Sequence, residues 1–104
     1  MSYRKIIAII PTLKLEDVEI NLKQAGVPGM SVSSVHGYGE YRNYYTNDTM
    51  TDCSRVEVYA DTKKVKQIVI AIAKATGQGL DSDGVIAILP VEEFLHIHEI
   101  EVNE

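Results

Sequence analysis

The chain has little of what several functional classes require. It carries one cysteine, Cys53, in 104 residues. A lone cysteine supports no intrachain disulfide framework and no multi-cysteine zinc site, and it fits a reducing compartment. Basic residues are few: Lys and Arg number 10 against 15 Asp and Glu, and the net charge is −5. No basic run has the density that a phosphate backbone demands, which excludes a nucleic-acid module. Long apolar runs are missing as well. Ile6–Ile10 is too short to span a bilayer and is followed at once by Pro11. No signal-peptide pattern is seen, so a cytoplasmic protein is expected. No Ser-His-Asp set, Cys-His pair or Gly-rich loop with its lysine stands out, and no enzymatic role is expected. Glu92 and Glu93, like Asp81 and Asp83, read as ordinary surface charge.

What is present is ample for one domain over residues 1–104. Apolar residues make up 45% of the chain, enough for a core. "YRKIIAIIP" is a continuous β-branched run, as expected of a strand buried on both faces or at an interface. Leu15, Val18, Leu22 and Ala25 then form one helical stripe, with Glu16 and Asp17 suited to the first turn and Gly26, Pro28 and Gly29 ending it. "MSVSSVHGYG" reads as a second strand and "RVEVYA" as a third. The clearest helix follows, capped by Asp61 or Thr62, with Val65, Ile68, Val69 and Ile72 as its buried stripe. "GVIAILP" is a fourth strand and "EEFLHIHEIEV" an expected fifth. The order is βαββαβ plus an extra C-terminal strand, an α+β ferredoxin-like arrangement. Two helices then cover one sheet face, and a second copy of the chain is the simplest cover for the other.

Residues 39–54 have no apolar period and are rich in Tyr, Asn, Asp and Thr. They read as a long exposed loop, and such loops in compact domains are usually functional or disordered. His96 and His98 fall two apart in the expected last strand, a spacing that puts both imidazoles on one face.

These residues resemble the PII signal-protein family. The resemblance rests on Lys14-Leu15-Glu16-Asp17-Val18, on Gly26-Val27-Pro28-Gly29-Met30-Ser31-Val32, on Gly37-Tyr38-Gly39, and on "ATGQGLDSDGVIAILPVEEFLHI" in the second half. It covers nearly the whole chain in order. It implies a homotrimer whose sheets pack inward, nucleotide in the clefts between subunits, and a T-loop in the place of residues 39–54. That loop would dock onto a partner such as a membrane transporter. Ser31, Gly37, Tyr38, Gly39, Glu57, Asp83, Gly84, His96 and His98 fall at effector-binding positions by this resemblance. Tyr41, Arg42, Tyr44 and Tyr45 fall in the partner-binding loop.

The departures concentrate where the family holds phosphate. Val85 replaces a lysine, Glu40 an arginine, and His96 and His98 an Arg-x-Arg pair, while two residues are inserted around Asp81. Imidazole carries little charge near neutral pH. Each hydrogen bond to a charged partner contributes roughly 1.5–3 kcal/mol, so triphosphate binding should be weak. AMP or ADP fits this inventory better than ATP. The same residues open a second reading: His96, His98 and Glu40 form a ligand set for zinc or another transition metal. That would give a metal-binding or metal-tolerance trimer like the CutA family. A trimer whose cleft has lost its job is the third reading.

Overall fold

The structure is a computed structural model and describes residues 2–37, 51–80 and 83–103. Strand β1 (Tyr3–Pro11) leads through a 3-10 turn into helix α1 (Leu15–Gln24). Strands β2 (Ser31–Gly37) and β3 (Thr51–Asp61) follow, then α2 (Val65–Thr76) and β4 (Val85–Val91). The strands form one antiparallel sheet in the order β2-β3-β1-β4. This is the expected βαββαβ ferredoxin-like topology.

Alternation along β1 decides the layering. Ile6, Ala8 and Ile10 are buried, and Ile6 and Ala8 pair across the sheet with Val58 and Val56. Val18 and Leu22 from α1 and Ile68 and Ile72 from α2 complete that cluster. Both helices therefore lie on one face. Asn21 Nδ2 donates to the Ala71 carbonyl at 3.0 Å and ties the helices together. The capping signals act as read: Glu16 and Asp17 occupy the first turn of α1, and the Asp61 carboxylate accepts from the Lys63 N–H at 2.9 Å. In α2 the buried stripe is Ile68, Ile72 and Thr76, while Val65 packs at its margin and Val69 is only half-buried. Thr76 tolerates burial because its hydroxyl donates to the Ile72 carbonyl.

The opposite face presents the other parity: Tyr3, Lys5, Ile7 and Ile9 of β1 beside Tyr59, Glu57 and Arg55 of β3 and Leu89 of β4. β1 is thus buried on one side only within the protomer and half-exposed on the other.

Two boundaries differ from the expectation. β3 begins at Thr51, four residues earlier than residues 39–54 would allow as a loop. Those polar residues are held by ladders on both sides, Cys53 pairing with Val35 and Pro11, and the Ser54 and Thr12 hydroxyls meet at 3.0 Å. Cys53 is buried in the strand and is not a loop residue. The tail expected as a fifth strand carries no ladder pairing within the described chain. A 3-10 turn at Ile97–Glu99 interrupts extended backbone at His96 and Ile100. The physical reason lies in Phe94, whose ring stacks on Tyr3 at 4.7 Å and contacts Tyr59 at 5.1 Å, holding the tail over the open face of the sheet.

Gly84 has a structural task. Its φ is +112°, and a Cβ there would lie 2.1 Å from the Ile9 carbonyl oxygen. Only glycine lets the chain enter β4 so close to β1.

Candidate effector cleft

A cavity of about 710 Å³ opens at the end of the sheet where β1 starts and β3 ends. The turn after α1 forms one wall, because Gly26 takes a φ of +83° and redirects the chain through Val27 to Met30. Ser31 and Glu57 enter together as register partners on β2 and β3. Tyr3, Tyr59, Phe94 and His96 supply an aromatic wall. The Phe94 ring meets His96 edge-on at 5.2 Å, and His96 meets His98 at 5.8 Å.

The charge in this cleft is mixed. Glu57 is clasped by Lys5 at 3.7 Å and by Arg55 at 2.8 Å. Asp61 and Lys64 line the rim. Lys5 and Arg55 neutralise Glu57, which leaves Asp61 and Lys64 as one carboxylate and one ammonium at the rim, little for a polyphosphate to bind. The aromatic faces suit a flat, weakly charged ring.

The expected site residues separate into groups. Ser31, Glu57 and His96 come together here, with His98 adjacent through its ring contact. Asp83 and Gly84 line a second cavity of about 270 Å³ with Thr76, Gly77, Val85 and Ile86. Gly37 pairs with Thr51 at the far end of β2, six residues and roughly 20 Å from Ser31. Tyr38, Gly39 and Glu40, and the loop residues Tyr41, Arg42, Tyr44 and Tyr45, lie outside the described residues. Among the described residues no cluster of three or more His, Cys, Asp or Glu could hold a metal. The 3-10 turn removes the strand geometry assumed for His96 and His98, yet their rings remain neighbours.

Sequence reasoning did not find Tyr3, Tyr59, Phe94 or Lys64 as wall residues. The signal was present only in part: Tyr59 is an aromatic on the outward parity of a strand, but its meeting with Phe94 depends on the path of the tail.

The Cys53 thiol is pushed above its ordinary value of 9.0, first by burial and then by the nearby Asp52 carboxylate. A protonated, enclosed thiol is a poor nucleophile and a poor metal ligand.

With the geometry in place, comparison with known proteins decides the family. A family model described as "Nitrogen regulatory protein P-II" matches residues 3–101. The chain belongs to the P-II family. P-II proteins are regulatory signal proteins that bind effectors. A nitrogen regulatory protein P-II from Nostoc punctiforme is 36% identical across 96% of each chain. One from Pasteurella multocida is 32% identical across 97% of this chain and 96% of its own. The crystal structure of Arabidopsis thaliana PII bound to citrate superposes with a TM-score of 0.79 at 23% identity, covering 95% of this chain and 83% of that one. That likeness supports the fold. Among the described residues no helix is long and apolar enough to cross a membrane.

Proposed function

We propose that this P-II protein is a trimeric regulator that senses an adenine-containing effector of low charge, AMP or ADP in preference to ATP, in clefts between subunits. Effector binding controls how the segment between β2 and β3 engages a protein partner. A membrane transporter is the partner class we infer, reached from the cytoplasm. The role is regulatory and not catalytic.

One observation carries the ligand reading. Ser31 and Glu57 meet in a cleft walled by Tyr3, Tyr59, Phe94 and His96, with Lys64 at its rim. Stacking on aromatic faces accommodates a base, while a rim in which the Asp61 carboxylate offsets Lys64 gives a chain of phosphates little to bind. The trimer reading draws on the open sheet face and on the exposure of tail residues such as Ile97 and Val102. A neighbouring subunit would cover these.

Isothermal calorimetry of the purified protein with AMP, ADP and ATP tests this reading. Saturation near one AMP per subunit, with weaker binding of ATP, is the expected result. Absence of heat with all three removes the nucleotide assignment.

The His96–His98 contact supports a second reading, metal binding. Two imidazoles on one zinc place their ring centres about 5 Å apart, close to the 5.8 Å seen. Glu40, three residues beyond Gly37 at the far end of β2, would be the third ligand only from a neighbouring subunit. Zinc titration separates the readings. Binding that disappears in His96→Ala and His98→Ala, with the trimer retained and nucleotide ignored, favours the metal site.

A further inference from the structure

His96 reaches the cleft from a tail that the sheet does not hold. Among the described residues the tail after β4 pairs with no strand. The Glu99 N–H donates to the His96 carbonyl at 3.0 Å and the Ile100 N–H to the Ile97 carbonyl at 3.1 Å, bonds that close the tail on itself. Leu95 and Ile97, on either side of His96, are 62% and 86% exposed, so their packing does not fix it within the protomer. Phe94 supplies the attachment. Tyr3 and Tyr59 are diagonal neighbours across β1 and β3, because Tyr59 pairs with Lys5. Such a diagonal lies within reach of aromatic side chains. The Phe94 ring bridges it, stacked on Tyr3 at 4.7 Å and 21° and tilted on Tyr59 at 5.1 Å and 31°. Lys5 Nζ lies 5.8 Å from the centre of the Tyr59 ring and 3.7 Å from Glu57, which ties this platform to the carboxylate of the cleft. His96 then stands edge-on to Phe94, at 5.2 Å and 87°. Near-parallel and edge-on contacts are the two arrangements that ring quadrupoles favour.

We propose that Phe94 is the positioning residue for His96: its ring, seated on Tyr3 and Tyr59, holds the imidazole against the cleft that contains Ser31 and Glu57. A free tail would have to be ordered each time a ligand binds, at a cost in conformational entropy. A tail already seated on the sheet meets that cost on folding, and His96 presents itself pre-organised. The role belongs to the ring and not to bulk alone. An aliphatic side chain at residue 94 would cover apolar surface but offer His96 no aromatic face. The consequence for ligand affinity rests on the effector reading above. The placement of His96 by Phe94 stands without it.

The test uses the full chain with Phe94→Leu, Phe94→Tyr, His96→Ala, and Phe94→Leu combined with His96→Ala. Proton NMR reads the ring resonances of His96, and calorimetry reads the affinity for AMP. In Phe94→Leu the His96 ring protons should lose the ring-current shift and move toward their unfolded positions. AMP affinity should fall about as far as in His96→Ala, roughly tenfold, the loss of one ordinary hydrogen bond. Phe94→Tyr keeps the ring and should keep both readouts. The double variant should bind AMP no more weakly than His96→Ala alone, because Phe94 acts through His96. Phe94 also lines the cleft, and a direct contact with the ligand would instead make the two losses add. Additive losses, or His96 resonances that stay in place in Phe94→Leu, overturn the proposal. If AMP binds no form, the effector reading falls. The placement of His96 is then upheld by resonances that move in Phe94→Leu and return in Phe94→Tyr, and overturned by resonances that do not.

Discussion

The two faces of the sheet are built from the same four strands and do different work. On the helix side, Ile6, Ala8, Ile10, Val56 and Val58 are at most 1% exposed and form one apolar cluster with Val18 and Leu22 of α1 and Ile68 and Ile72 of α2. On the other side, one residue out of register along each strand, the pattern is Tyr3, Lys5 and Ile7 beside Tyr59 and Glu57. Those side chains are half-buried or exposed, and they mix charge, aromatic rings and aliphatic groups. The first face holds the protomer together through burial, which stabilises by about 25 cal/mol per Å². The second keeps surface and charge available for another subunit and for a ligand. A period-two alternation thus separates folding from recognition.

Substitutions can break that contrast in order of size. Gly84→Ala should be the most damaging, because it disturbs the junction on which both faces depend. Left-handed strain and overpacking against the Ile9 carbonyl add to about 4 kcal/mol. Urea denaturation should show this as a large fall in midpoint. Ile6→Ala removes a fully buried side chain from the helix side and should cost about 3 kcal/mol. Its effect on ligand binding per folded protomer should be slight.

Glu57→Gln acts on the open side. The pairs with Lys5 and Arg55 are partly solvated, so protomer stability should change by about 1 kcal/mol or less. AMP affinity should fall all the same. A large stability loss without a change in affinity would blur the two faces.

The smallest effect is expected at Cys53, where the open-side parity ends in a buried position. Its thiol ionises less readily when folded. Stability should therefore be whole below pH 9.0, the ordinary thiol value, and decline as pH rises from there toward the higher folded value. Cys53→Ala should remove that part of the slope in pH-dependent thermal melts. Iodoacetamide should label native Cys53 far more slowly than the unfolded chain.

Much of the fold was legible because local signals agreed. The α1 stripe, the Asp61 cap and the β-branched run of β1 each pointed to the same topology. Thr51–Ser54 was not legible, since its strand character comes from partners on β1 and β2 and not from its own pattern. The tail misled in the opposite way: its alternation predicted a strand, but the stacking of Phe94 on Tyr3 and its tilted contact with Tyr59 set its path. The candidate site was partly legible. Ser31, Glu57 and His96 could be named from their resemblance, whereas their aromatic wall depended on contacts between residues far apart in sequence. Asp83 was visible as a residue but not as the acceptor of its own loop.

The central claim is that the open face serves assembly and that the cleft is completed between subunits. Sedimentation equilibrium of the unmodified protein tests it most directly. The account predicts a single species of three times the chain mass at micromolar concentration. A stable monomer across that range would contradict it.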